Sequence, residues 1–501
     1  MLKSVGSNWV VTALMIVVLY LLTPFTLHKL GVDGYGTWML ITSMNGYLGL
    51  LVLGVPMASV RYFAQHAAKG DSRSLNEAIG SCTGLYLLLG LIALVIGLGL
   101  YALFTLYGIP TPRHTDARLA FAVMALFVAA GFIGLLPDGI MAAHGDFVPR
   151  NVIRLASVLL RLGLTVGLLT LKASLTLLAL VQLACLAFDF TACVLFIRRR
   201  HPEIHLGLGG FNWGVVRQIF SFSLFVLVLN AGSRLSFETD SLVIGAFMNV
   251  SSIPYFTVAN SFIIYLMEFV IAIAAVVMPA ATRLQTQGKT ADLREIFLKW
   301  SKVALSVTIM AGLFFVVLGP RFIAWWVGPQ FEHAAGQVLQ ILMLSYLIFL
   351  PVRGVALPIL MGLGKPRLPT IGFLVAGLVN LGLSILLVHP LGLAGVALGT
   401  AIPNVLFAAA VLVQTCRELQ TPVAEYVRYV VPRAVLGAVP VLAVLLWFKL
   451  GLGVRGLAGL AVAGVAMVVV FGLMWVLFVY RNDRYVDVRS RIPLLRVLGR
   501  A

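Results

Sequence analysis

Residues 174–200 read SLTLLALVQLACLAFDFTACVLFIRRR. Between Ser174 and Ile197 the single charged side chain is Asp189, and three arginines follow at once. A helix rises about 1.5 Å per residue and the hydrocarbon of a bilayer is about 30 Å thick, so about 20 apolar residues cross it. This stretch is long enough. Its arginines mark the end held in the cytoplasm, and its one carboxylate is a group that lipid alone would tolerate poorly.

The same pattern runs the length of the chain. Of 501 residues, 61% are apolar and 11% charged, where a soluble protein has about 45–50% and about 25%. The longest internal polar intervals, Arg198–Trp213 and Thr282–Glu295, are too short to fold as a catalytic domain. Fourteen spans are expected, at 8–29, 36–58, 79–107, 118–142, 152–171, 174–197, 217–246, 254–279, 298–319, 334–361, 369–388, 391–415, 431–450 and 456–480. The fold class is an all-α polytopic membrane protein. The opening run MLKSVGSNWVVTALMIVVLYLLTPF, residues 1–25, is too long for a cleaved signal core and is kept as the first span.

Lys and Arg number 36 against 18 Asp and Glu, a net charge of +18. In a soluble chain that excess would suggest nucleic acid; here it follows the loops. With the N-terminus inside, the inner segments hold 26 Lys and Arg and the outer loops seven. That asymmetry places both termini in the cytoplasm, and no nucleic-acid partner is expected. The tail, residues 481–501, interleaves six arginines with Ile492, Leu494, Leu495, Val497 and Leu498. It suits either an amphipathic segment on an anionic leaflet or a basic tail that only fixes topology. Cys82, Cys185, Cys193 and Cys416 lie in or beside apolar runs without metal-type spacing, so they read as packing residues and no metal site is expected.

The chain partly repeats itself. Tyr35 before span 2 matches Tyr255 before span 8, Gly70 matches Gly288, Gly145 matches Gly364, and Arg198 matches Arg417, each pair 218–220 residues apart. Such landmarks indicate a duplicated six-helix unit. Six is even, so both copies enter the membrane the same way, related by an axis along its normal. The expected domains are an N-lobe at 1–205, a C-lobe at 206–420, an accessory pair of spans at 421–480 and a basic tail at 481–501.

Seven ionisable residues fall well inside spans: Arg161, Asp189, Arg234, Glu238, Asp240, Glu268 and Arg353. At about 3 kcal/mol each, lipid exposure would cost about 20 kcal/mol, more than the about 5–15 kcal/mol net stability of a domain. They must face one another or a wet cavity. Arg234 and Glu238 are one turn apart on a face that Asn230 and Ser241 extend. Glu238 and Asp240 are ion-coupling candidates, for H+ or Na+, with Asp189 and Glu268 behind them; a self-cancelling Arg–carboxylate pair is the competing account. Arg150, Arg154 and Arg161 fall within about 40° of arc, a basic stripe running inward. Arginine forks match phosphate oxygens, so Arg161, with Arg353 from the second half, leads the set of diphosphate-cavity candidates. For Arg150 and Arg154 topological anchoring competes.

No P-loop, HExxH or GxSxG motif occurs, and the outer loops are short, which argues against an enzyme. The stretch LGVDGYGTWMLITSMNGYLGLLVLGVPMASVRYFA, residues 30–64, with TDSLVIGAFMNVSSIPYFTVAN (239–260), WWVGPQF (325–331) and PILMGLGKPRLP (358–369), resembles polysaccharide-exporter and O-antigen flippase-like proteins of the multidrug/oligosaccharidyl-lipid/polysaccharide exporter superfamily. The resemblance covers about residues 5–420 and puts Asp240 at the family's usual acidic position in span 7. It implies two six-helix lobes alternating in a V. It also implies a bacterial inner-membrane flippase moving undecaprenyl-diphosphate-linked oligosaccharide to the periplasmic leaflet, working as a monomer beside a glycan polymerase machinery. The lipid II flippase branch shares the extra pair of spans around a lipid-binding groove, but this N-terminus lacks its arginine-rich opening. A multidrug antiporter normally has twelve spans, and a non-transporting scaffold would leave the buried charges structural.

Overall fold

The computed structural model describes residues 2–52, 54–104, 107, 114–219, 231–232, 234–235 and 238–486, and among them there is no strand. The helices are α1 (Leu2–Leu48), α2 (Val55–Lys69), α3 (Ser72–Phe104), α4 (His114–Ala143), α5 (Phe147–Leu171) and α6 (Leu175–Arg200). There follow α7 (Asp240–Phe247), α8 (Ile253–Thr286), α9 (Thr290–Val317), α10 (Gly319–Val327) and α11 (Ala334–Pro351). The last are α12 (Leu357–Gly362), α13 (Arg367–Leu391), α14 (Leu393–Glu418), α15 (Val423–Leu446) and α16 (Leu457–Met474).

Twelve described helical runs are long and apolar enough to cross a membrane. Eleven of the expected spans fall on such runs with ends shifted by up to eight residues. The first run, Leu14–Val52, holds the first expected span and most of the second, separated only where Gly31 leaves helical dihedrals (φ 71°, ψ 173°). The second expected span is also interrupted, by a 3-10 turn at Gly49–Val52 before α2. The seventh, at 217–246, has 14 of its 30 residues outside the described ones. Its described part is not one helix: Glu238 stands in a turn and α7 begins at Asp240. Asn230 and the tail beyond residue 486 also lie outside the described residues.

Four helix ends close in one way. At Gly70, Gly145, Gly288 and Gly364, with φ between 67° and 78°, the glycine N–H reaches back three residues and the next N–H reaches back five. Examples are Gly70 to Ala67 with Asp71 to His66, and Gly288 to Gln285 with Lys289 to Leu284. This is the Schellman motif, whose left-handed residue is usually glycine for lack of a Cβ. A second kind of terminus is built by Asp116 of α4, whose carboxylate accepts the Leu175 and Thr176 N–H groups (2.7 and 3.1 Å) and the Ser174 and Thr176 hydroxyls (2.6 and 2.7 Å). It satisfies donors that the start of α6 would otherwise leave open.

The chain divides into two compact units, residues 1–234 with 244–254, and residues 235–243 with 255–501. In the first, α4 packs on α3 and α6, and α5 on α1 and α6; its core centres on Phe63, Tyr86, Ile140 and Ile197. In the second, α13 lies along α14, α11 on α14 and α9, and α15 on α9 and α16. The last two spans are thus part of the second unit's packing. Close backbone approach is possible where side chains vanish: a Cβ on Gly395 would stand 2.0 Å from the Leu387 carbonyl oxygen, and one on Gly399 2.3 Å from the Ser384 hydroxyl. All four cysteines are buried and free.

Candidate functional site

In the first unit the expected basic stripe divides. Arg150 forms a two-pronged pair with Asp138 of α4, so its guanidinium is occupied. Arg154 is exposed. Arg161, two turns further into α5, has a buried Nε with no hydrogen-bond partner. Asp189 of α6 lies within electrostatic range of both Arg161 and Arg154 and accepts a hydrogen bond from Ser157 (2.9 Å). The carboxylate that stood out in the sequence therefore faces the arginines of the neighbouring helix. Asp138 is easily missed in the sequence, near the end of an apolar run beside Pro137.

In the second unit Arg353 sits in a single π-turn, Val352–Ala356, in the middle of an expected span. Such turns arise where the i to i−4 ladder is disturbed and are frequent at functional sites; here Pro351, which has no N–H, precedes it. Gly354 lets the turn press on α8, since a Cβ there would be 2.8 Å from Val270. The Arg353 guanidinium lies over the Phe373 ring at 5.1 Å, with Glu268 within electrostatic range, and its Nε is buried without a hydrogen-bond partner. Each unit therefore carries one intramembrane arginine with an orphaned buried donor.

Asp240 opens α7 and is 3% exposed. Its Oδ1 accepts from the Thr400 hydroxyl (3.0 Å), which accepts from the Asn380 amide (3.2 Å), whose oxygen accepts from Ser384 (3.0 Å). Tyr346, hydrogen-bonded to Asn404, stands nearby, and the Asn404 amide nitrogen is buried without a partner. Among the described residues no Lys, Arg or His pairs with Asp240. A carboxylate so placed is neutralised by taking a proton or by holding a small hard cation among oxygens. The spacings Asn380–Ser384 and Thr400–Asn404, each four apart, are the sequence signal that would have found these partners. Arg234 and Glu238, expected as a helical pair, belong to different compact units, and the residues between them are only partly described.

Two further features flank α15. A groove of about 410 Å3 runs between α9, α11 and α15, lined by Leu305, Ile309, Leu347, Val430, Ala438 and Leu442. It is almost wholly apolar. At the end of the same helices, Lys302 is 1% exposed: its Nζ donates to the Val479 carbonyl (3.1 Å), pairs with Asp483, and lies over the rings of Tyr429 (4.8 Å) and Tyr480 (5.0 Å). In the sequence Lys302 reads as one more inner-side charge; it is a buried strut.

A bundle of helices long and apolar enough to cross a membrane, with arginines and carboxylates buried among them, is the build of a polytopic membrane protein. The chain belongs to the polysaccharide biosynthesis protein family, whose pattern it matches over residues 79–336. It is 24% identical over 408 residues to the uncharacterized membrane protein EpsK of Bacillus subtilis, covering 77% of each chain. It is 19% identical over 393 residues to a Shigella flexneri protein described as an O-antigen transporter, covering 76% of this chain and 90% of that one. In fold it is similar to the lipid II flippase MurJ in an inward closed conformation (TM-score 0.69, 13% identity, 95% of this chain and 99% of that one). It is likewise similar to an inward-facing multidrug resistance MATE family transporter (TM-score 0.68, 15% identity, 79% and 94%).

Proposed function

We propose that this protein is a flippase for a polyprenyl-diphosphate-linked oligosaccharide, an O-antigen or exopolysaccharide repeat unit, carried from the cytoplasmic to the periplasmic leaflet of the bacterial inner membrane. The observation that carries the reading is the pair of intramembrane arginines, Arg161 and Arg353, each with a buried Nε lacking a partner. A diphosphate offers oxygens in the geometry a guanidinium fork accepts. Arg154 extends the anionic path toward the aqueous end, while Arg150, bound to Asp138, holds helices. The apolar groove beside α15 suits a polyprenyl tail left in hydrocarbon while the head is carried.

In this reading fourteen spans make two six-helix lobes of parallel repeat plus two C-terminal helices, with both termini cytoplasmic, and the halves alternate their opening as a monomer. The identical glycine caps at Gly70 and Gly288, and at Gly145 and Gly364, support the duplication. The lobes are taken at 1–205 and 206–420, the added pair at 421–480 and the tail at 481–501. Asp240, with Thr400 and Asn380, binds the coupling proton or Na+, whose arrival favours one opening over the other. Glycan polymerase machinery is the expected neighbour.

The test is export in cells. Arg161→Ala and Arg353→Ala each reduce surface glycan and leave lipid-linked repeat units on the cytoplasmic leaflet, with membrane protein levels unchanged. Normal export by both variants removes the diphosphate-binding role of these arginines. A lipid II flippase is the second reading, favoured by the MurJ likeness extending over 95% of the chain; rescue of a strain depleted of its lipid II flippase would select it.

A further inference from the structure

The turn after α4 and the exit of α6 bring together His144, His201 and Glu203, and every pair among their nearest ligand-capable atoms lies within 4.8 Å. The chemistry of the two imidazoles is already set. His144 Nδ1 is 2.9 Å from the Ile140 carbonyl oxygen, so that nitrogen donates and Nε2 is the one left for a ligand. His201 Nε2 is 2.8 Å from the Asp146 carboxylate, and its Nδ1 faces a Glu203 carboxylate oxygen at 3.5 Å. The rings stand 4.4 Å apart at 46°. A metal-bound histidine characteristically gives its other nitrogen to a carboxylate or a carbonyl. Both do so here.

We propose that His144, His201 and Glu203 bind one divalent transition ion of the zinc class, with Asp146 as the carboxylate that orients His201. Metal–ligand distances of about 2.1 Å in a tetrahedron give ligand–ligand edges of about 3.4 Å, close to the 3.5 Å between His201 and Glu203. The remaining edges close from at most 4.8 Å. Glu203 is held from a third helix: the Asn76 amide donates to the Glu203 carbonyl (3.0 Å) and accepts from the His205 N–H (2.8 Å). Glu203 is itself exposed, so the fourth position opens to solvent. The carboxylates of Asp146 and Glu203 supply negative charge in a neighbourhood that Arg198, Arg199 and Arg200 otherwise make basic. A bound ion fastens the start of the segment after α6 to the α4–α5 turn, at the end of the helices expected in the cytoplasm. None of this depends on the identity of the transported molecule.

Untagged protein, purified in detergent and stripped with chelator, is dialysed against Zn2+ and, separately, titrated with Co2+. The expected result is one zinc per chain and the visible absorption of four-coordinate Co2+. His144→Ala, His201→Ala and Glu203→Ala each weaken zinc binding by more than about tenfold, and Asp146→Asn by about 10–100-fold. His333→Ala, in the other compact unit, leaves it unchanged. An unaltered size-exclusion profile for Asp146→Asn keeps the result independent of folding. Binding below one zinc per two chains, or zinc retained by all three ligand variants, overturns the site.

Discussion

Asp483→Ala strands the ammonium of Lys302 inside the protein. Both side chains of this pair are 1% exposed, so solvent does not screen them. Removing one partner of a buried pair costs about 3–5 kcal/mol. Lys302 keeps the Val479 carbonyl and two aromatic faces, and each cation–π contact is worth about 0.5–2 kcal/mol, which puts the expected loss near the low end, about 3 kcal/mol. Adding Lys302→Met removes the stranded charge, and the double variant recovers most of the loss. The pH dependence has a definite sign. Burial pushes the Asp483 carboxyl up, but hydrogen bonds from Lys302, Tyr429 and the Tyr485 backbone outweigh it and hold the group below the usual carboxylate range. Its stabilisation is then present above the unfolded value of about 3.9 and is lost as pH falls through the lower folded value. The Asp483 contribution to the gap between wild type and Asp483→Ala is therefore whole from about pH 5 upward and is lost only in stronger acid. Unfolding in mixed SDS micelles measures it. A loss under about 1 kcal/mol, the scale of an exposed pair, or a double variant no more stable than the single, refutes the reasoning.

Asp240→Asn is expected to leave the protein in the membrane while export no longer responds to an imposed proton or Na+ gradient; vesicles with an unaltered response would sink the coupling role. Gly36→Ala would set a Cβ 2.0 Å from the Val250 carbonyl oxygen and should destabilise by at least about 1–3 kcal/mol. Gly163→Ala meets nothing within 4 Å and should gain up to about 1 kcal/mol of helix propensity, so thermal melts of the two should shift in opposite directions. Asp116→Ala removes the acceptor of four donors at the start of α6 and should cost about 1–3 kcal/mol, read by the same melts.

The spans were legible because lipid imposes a length and loops impose a charge sign, two constraints that act on composition alone. Eleven runs follow from them directly. What composition does not register is backbone geometry: between the first two expected spans it does not show that the single residue Gly31 stands in place of a loop, and at Arg353 it shows the charge but not the π-turn that holds it. The candidate site was half legible. Asp189, Asp240, Arg161 and Arg353 stand out as charges in apolar surroundings, but Thr400, Asn380, Ser384 and Asn404 are neutral and more than a hundred residues from Asp240. Asp138 is not singled out in the sequence and Lys302 counts there only as one inner-side charge, for one reason: near a span end, a charge looks solvated until the neighbouring helix is known. His144 and His201 are 57 residues apart, a spacing that matches no local metal pattern, and only the turn after α4 unites them.

Gly31 joins two stretches of helix without any intervening loop. A joint of one residue has two soft torsions and no slack, so whatever swing one segment makes relative to the next must pass through that single φ, ψ pair. Its φ of 71° with ψ of 173° lies in a region open essentially to glycine alone. Any side chain there would set the joint at one angle, and the first segment would become a fixed post instead of a lever.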